Sequence, residues 1–311
     1  MGKLISDKFK EWKKECEDRF NTLKANEEEL NRIFIDIYGL KDELTPTVEP
    51  KDVTVRLADE KREIKSLISY AVGCMMGRYS LDEEGLIYAG GEFDINKYKK
   101  FIPDNDGIIP IFEIEGIYKD DIVKKFVEFI ETVYGKATLN ENLKYIAHVL
   151  DDSKDMEYMK IIRNYFVKDF YNDHTSIYNH KPIYWLFDSG KKNGCKYLVY
   201  LHRYNKDTIA NIKINYMPKI QIAYERILKD VEYKLNNDDS LSKKEKSDLD
   251  KEAKDIKAKI EECKDYFEAI THFADMKVEL NLDDGVGVNY DKFIYEDKDK
   301  MKQLNLLAKS K

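Results

Sequence analysis

Seven cations crowd one stretch of this sequence. Between residues 189 and 224 stand Lys191, Lys192, Lys196, Arg203, Lys206, Lys213 and Lys219, against a single acid, Asp207. The segment carries +6 inside a chain of net charge −7, which leaves −13 for the remainder. Cations on flexible stems neutralise phosphates and release condensed counterions, which gives affinity for nucleic acid without reading its sequence. Lys191 and Lys192 fall at the tip of an expected hairpin, where a lysine reaches a phosphate without burying anything. Tyr197, Tyr200, His202, Arg203 and Tyr204 add aromatic and cationic groups nearby. These seven cations are the candidate DNA-binding residues. The competing reading has Tyr197 and Tyr200 packed on either face of a strand and the lysines simply solvated. A net negative charge excludes a wholly basic nucleic-acid binder but not a local patch.

Other reactive residue types form no catalytic pattern. An enzyme that methylates the amino group of adenine needs an Asn/Asp-Pro-Pro-aromatic motif, whose polar head bonds the target amine while the ring stacks on the flipped base, and all six prolines here are isolated. A glycine-rich cofactor loop, a phosphate loop, a G-x-G-x-x-G fingerprint and an H-E-x-x-H pair are also missing. Among the five histidines only His174 and His180 share a loop, for which solvation is the default. Pro103-Asp104 followed by Glu113 and Glu115 faintly echoes a metal-dependent nuclease, which holds magnesium with acids and activates water with a lysine. The last position is Glu rather than Lys, and Gly107 and Pro110 mark a turn, so a solvated acidic loop competes. No catalytic residue, metal ligand or cofactor site is therefore expected in this chain.

The elements that position the cations are mostly helical. Phe9, Trp12, Cys16, Phe20 and Leu23 recur at helical spacing, and Leu30, Ile33, Phe34 and Ile37 resume the stripe before a stop at Gly39. Further helices are expected over residues 58–76, from Ile122 to a stop at Gly135, after a cap at Asn140, and over about 155–171. Leu86-Ile87-Tyr88 suggests a short strand. Ile183 to Phe187 and Tyr197 to Leu201 suggest a β-hairpin, since Ser189-Gly190-Lys191-Lys192-Asn193-Gly194 between them has hairpin-loop chemistry. Near Asp207 a long helical region begins, with Pro218 either kinking it or opening a new helix. After a polar turn at 236–240, Leu249, Ala253, Ile256, Ile260, Cys263, Phe267 and Ile270 step by four and three, a heptad seam that predicts an antiparallel helical hairpin. The expected fold is α+β and mainly α: helical bundle elements, a small β-hairpin (about 183–202) and a long helical hairpin (about 207–272). A division near residue 118 would give an N-terminal helical region with short strands (1–118) and a C-terminal helical domain (119–311).

The 311 residues are 42% hydrophobic and 36% charged, as in soluble globular chains. No run approaches the roughly 18 apolar residues of a membrane helix. Cys16, Cys74, Cys195 and Cys263 stand far apart, which argues against a zinc knuckle or a disulfide framework and suits a reducing cytoplasm. Met1-Gly2 with Ser6 fits the loose myristoylation pattern, but no second membrane signal accompanies it, so a start-codon or vector remnant explains it better.

Several stretches together carry a family resemblance: EELNRIFIDIYGLKDELTP (28–46), LISYAVGCMMGRYS (67–80), GLIYAGG (85–91), KPIYWLF (181–187), LHRY (201–204), LDDGV (282–286) and VNY (288–290). As a set they closely resemble the C-terminal region of the PglX family, the adenine-specific DNA methyltransferases of BREX phage-defence systems, over nearly the whole chain. The resemblance implies a full-length protein that uses S-adenosylmethionine to methylate adenine N6 and cooperates with other BREX proteins to exclude phage. It places the catalytic motifs upstream, so no catalytic residue carries over. The chain would then support target recognition, grip double-stranded DNA or dock BREX partners beside the methyltransferase domain. The competing classes are a protein-interaction scaffold that never touches DNA and a metal-dependent nuclease module.

Overall fold

The computed structural model describes residues 3–152, 156–297 and 302–308. Met1 and Gly2 of the lipidation pattern, and residue 155 at the start of one expected helix, lie outside these. The chain forms two compact units, Met1–Ile68 with Ile130–Met159, and Ser69–Phe129 with Lys160–Lys311.

In the first unit the apolar stripe of the N-terminal segment folds as one helix, α1 (Ile5–Tyr38). It ends as expected at Gly39, whose positive φ of 68° turns the chain so that its N–H and that of Leu40 bond back to the last turn. Then come α2 (Glu60–Met75), which belongs to this unit as far as Ile68, α3 (Ile122–Tyr134), which belongs to it from Ile130 on, and α4 (Leu139–Leu150). Asn140 does not cap α4, because a tight turn at Lys136–Thr138 runs straight into the helix and carries Asn140 inside it. The working amide is Asn142. Its Oδ1 accepts the N–H of Ile5 at 2.9 Å and its Nδ2 donates to the Lys3 carbonyl at 3.0 Å, satisfying backbone groups at the start of α1.

The second unit is built on a three-stranded antiparallel sheet of β1 (Ile108–Pro110), β2 (Tyr184–Asp188) and β3 (Lys196–Tyr200), in the order β1-β3-β2. The hairpin is the expected one, shifted by a single residue at each strand. Its third strand, β1, was not legible, since three residues ending in proline carry no alternation. Every residue of β3 is buried, so both faces of the central strand are covered. The expected strand at 86–88 is irregular. Gly85, Gly90 and Gly91 around it all have positive φ, and the Tyr88 hydroxyl lies 3.1 and 3.0 Å from the carbonyls of Gly91 and His202.

Helices α5 (Tyr158–Lys168) and α6 (Phe170–Ile177) replace the single helix expected over 155–171. After β3 come the short α7 (Thr208–Asn211), one turn of π-helix (Ile212–Tyr216) and α8 (Met217–Asn237), with Pro218 in the first turn of α8, where its missing N–H costs little. The seam lies on α9 (Lys243–Met276), which starts at a Ser242–Glu245 capping box and packs along α8 as the predicted hairpin. Ala253, Ile256, Cys263 and Ile270 are buried in the same hydrophobic core as Trp185, Phe187 and Tyr197 of the sheet, with Leu249, Ile260 and Phe267 at its margin. The tail adds α10 (Gly285–Asp291) and the β4–β5 ribbon (Ile294–Asp297, Lys302–Asn305). The fold is mainly helical α+β, as read from the sequence. Among the described residues no helix is long and apolar enough to cross a membrane.

Candidate nucleic-acid interface

The loop between β2 and β3 is held by one carboxylate from the helical hairpin. Glu262 of α9 accepts the Ser189 hydroxyl at 2.7 Å and the Gly194 N–H at 3.0 Å on Oε1, and the Lys192 N–H at 2.8 Å on Oε2. Ser189 in turn accepts the N–H of Cys195 at 2.9 Å. Gly190 is required here: its φ is +136°, and a Cβ at that position would stand 2.9 Å from Glu262 Oε2.

The seven candidate cations part company around this loop. Lys191 is exposed at the tip, Lys206 is exposed on the loop after β3, and among the described residues neither forms an ion pair. Lys219 is exposed on α8, its ammonium 5.6 and 5.8 Å from the ring centres of Tyr118 and Tyr216. Lys192 lies 3.6 Å from Asp255 and Lys213 lies 3.9 Å from Asp275, both acids of α9. Lys196 is buried, donating to the Val167 carbonyl at 3.0 Å and pairing with Asp188 at 3.3 Å. Arg203 lies 4.1 Å from the centre of the Phe93 ring and donates to the carbonyls of Asp104 and Asn105. Tyr197 and Tyr200 are fully buried, so neither offers a stacking face to a nucleobase. The run of positive charge in sequence is thus partly cancelled in space, where α9 supplies acids that lie more than 50 residues downstream.

Arg203 forms part of the wall of an open cleft of about 730 Å³, lined also by Tyr88, Asn105, Asp106, Asn211 and Asn215. Tyr216 of the π-helical turn and Asn211 of α7 both reach the Asp104–Asp106 turn. The Tyr216 hydroxyl stands 3.0 Å from Asp106 Oδ2, 3.1 Å from Asp120 Oδ2 and 3.2 Å from the Ile108 carbonyl, while Asn211 donates to Asp106 at 2.6 Å. Asp104 is buried, its Oδ1 accepting the N–H groups of Asp106 and Gly107 at 3.1 and 3.0 Å. Burial, and then the neighbouring Asp106 carboxyl, push Asp104 up to about 7.

A carboxyl raised in the folded state contributes its stability fully below the ordinary value of about 3.9 and loses it as pH rises through about 7. Asp104→Asn copies the neutral carboxyl. Its advantage in unfolding free energy over the wild type is expected to grow by on the order of 2 kcal/mol between pH 5 and pH 9. Urea titrations at the two pH values read the difference, and an equal gap at both would contradict the assignment.

The remaining candidates are occupied elsewhere. Glu113 pairs with Lys259 at 2.6 Å instead of joining Asp104. His174 is buried, its Nε2 accepting the N–H groups of Ile183 and Tyr184 at 3.2 Å each, and burial holds its pKa down at about 3. Among the described residues no group of three or more His, Cys, Asp or Glu is placed to hold a metal ion. Neither Glu262 nor the Asp106–Tyr216 contact was singled out in the sequence, because no local spacing marks an acid that will bond a loop about 70 residues away.

Comparison with known proteins places this geometry in context. No protein-family model matches the chain. It is 47% identical over 286 residues to the adenine-specific methyltransferase PglX of Lacticaseibacillus casei (strain Zhang), covering 91% of this chain and 24% of that protein. It is 39% identical over 245 residues to the adenine-specific methyltransferase BrxX of Escherichia coli O9:H4 (strain HS), covering 74% of this chain and 20% of that protein. The resemblance read from the sequence is borne out, and the chain spans about a quarter or less of the length of these relatives.

Proposed function

We propose, on the premise of this kinship with a quarter of the PglX and BrxX methyltransferases, that the chain is the non-catalytic C-terminal part of an adenine-N6 DNA methyltransferase of a BREX-type phage-defence system. Its work is to grip duplex DNA beside the methyltransferase domain and to keep company with other defence proteins. The observation that carries the reading is the 47% identity across nearly the whole chain. The residues present do not fit S-adenosylmethionine: the sheet is antiparallel with three short strands, and among the described residues no glycine-rich strand-to-helix turn offers itself to a cofactor. In this reading the cofactor and the methyl transfer belong to the part of the polypeptide outside this chain.

In this reading the DNA grip falls to the exposed cations. Lys191, Lys206 and Lys219 contact phosphates, with Lys192 and Lys213 contributing once their acids on α9 release them. Lys196 and Arg203 hold the sheet and the Asp104 turn and serve the grip only indirectly. Charge reversal at Lys191, Lys206 and Lys219 together is expected to weaken duplex binding at least tenfold at low salt. It should also lower the slope of log affinity against log salt by about 0.9 for each phosphate that is no longer neutralised. Circular dichroism of that variant should match the wild type, whereas Lys196→Glu or Arg203→Glu should lose helical signal. Wild-type affinity in the triple variant would sink the grip. A wild-type chain without salt-dependent binding would instead favour a protein-docking role for the α8–α9 hairpin.

A further inference from the structure

Helix α1 is 34 residues long, about 51 Å at 1.5 Å per residue, and among its described side chains Ile5, Cys16 and Ile35 are the buried ones. Its apolar stripe runs from Phe9 to Leu23, is interrupted at Asn26 and Glu27, and resumes from Leu30 to Ile37, and the two halves are unevenly covered. In the first half Cys16 is buried and Phe9, Phe20 and Leu23 are half-buried. In the second half Leu30 is 54% exposed, Ile33 45%, Phe34 52%, Ile37 68% and Tyr38 70%. These five sit at i, i+3, i+4, i+7 and i+8, the spacing of one face, and the Phe34 and Tyr38 rings stack at 6.5 Å.

This end of the helix is well made. Gly39 closes it, and the following linker bonds to a different side of it. Asn31 donates to the Pro46 carbonyl at 3.2 Å, and Glu28 accepts the Val48 N–H at 3.1 Å. The bare face is therefore left by design of the helix, and a contiguous exposed apolar face of this kind marks an interaction surface.

We infer that the Leu30–Tyr38 face of α1 docks the remainder of the methyltransferase polypeptide, the three quarters of a PglX-like chain that this chain does not span. The inference rests on the reading that the chain is part of such a protein. Length supports this occupant, because the relatives carry about three times as much sequence beyond the matched region as within it. Charge argues against a second copy. Residues 27–43 hold six carboxylates against Arg32 and Lys41, a net charge of −4, so two copies brought together at this end of the helix would repel. The occupant is accordingly an apolar surface, helical or otherwise, rimmed with lysine and arginine.

Hydrogen–deuterium exchange tests the docking. Amides of residues 30–38 are measured in the 311-residue chain, and the aligned amides in the full-length Lacticaseibacillus casei methyltransferase. The full-length protein should exchange there at least tenfold more slowly. Glutamate at the positions aligned with Phe34 and Ile37 should abolish that protection. Phe34→Glu with Ile37→Glu in the 311-residue chain should leave its Tm unchanged, since these side chains are already in water. Equal exchange in the two proteins overturns the inference. So does a dimer of the 311-residue chain, seen by light scattering, that Phe34→Glu disperses, because the face would then belong to a second copy. Protection at this face in a protein that shows no salt-dependent DNA binding would uphold the docking and remove only the DNA grip.

Discussion

Asp121→Ala is expected to be the most damaging single substitution in the chain, costing roughly 3–5 kcal/mol of stability. Asp121 and Arg163 form a buried, two-pronged ion pair, with Nη1 at 2.8 Å from Oδ2 and Nη2 at 3.1 Å from Oδ1. The same guanidinium donates to the Phe112 carbonyl at 2.9 Å, tying the segment after β1 to α5. Asp121 also accepts the N–H groups of Val123 and Lys124 at 3.1 and 3.2 Å, which caps the start of α3. Alanine removes the cap and leaves a guanidinium buried without its counter-charge. Thermal unfolding should fall by roughly 10 °C or more. Asp121→Asn keeps the capping oxygen and should lose less, while Asp121→Leu with Arg163→Met, which removes both charges, should recover much of the loss. An alanine variant within about 1 kcal/mol of the wild type would show that the pair contributes little.

Glu262→Ala should cost on the order of 3 kcal/mol, since hydrogen bonds to a charged acceptor are each worth about 1.5–3 kcal/mol and these three are not independent. Its consequence reaches the candidate interface, because the freed loop is the one that carries Lys191 and Lys192. The urea midpoint should drop, and the amides of Lys192 and Gly194 should exchange faster than those of β3. Glu262→Gln should fall between, since one amide NH₂ would then face a backbone or hydroxyl donor. An alanine variant whose loop amides stay protected would mean that the turn residues alone hold the loop. In that case Gly190 and Asn193, with φ of 136° and 55°, would be sufficient.

These two side chains explain why the elements were legible in the sequence and the site was not. A helix is written in neighbours: the stripe from Phe9 to Ile37, the stop at Gly39 and the four-three stepping from Leu249 to Ile270 all lie within one or two turns of each other. The β2–β3 hairpin is equally local, since its loop residues carry the backbone angles they require. Where local signals were weak, the reading slipped. Residues 86–88 look like a strand but follow glycine-driven bends, and β1 is too short to show a pattern.

Everything that decides how the site behaves depends on long-range partners. The basic run from 189 to 224 is a property of the order of residues, and it raised the expectation of nucleic-acid contact. Which of its charges face water was settled by packing, because Lys192 and Lys213 meet acids of α9 while Lys196 and Arg203 turn inward. Tyr216 finds Asp106 across 110 positions, and Arg163 finds Asp121 across 42. Side-chain pairing at such separations follows from how the core closes, since a hydrophobic stripe specifies that a face is buried without specifying what covers it. The stripe on α1 shows the same division of labour. Periodicity alone required the helix and its apolar face, while the fold left the half near Phe34 and Ile37 bare and so marked it as a surface for something else.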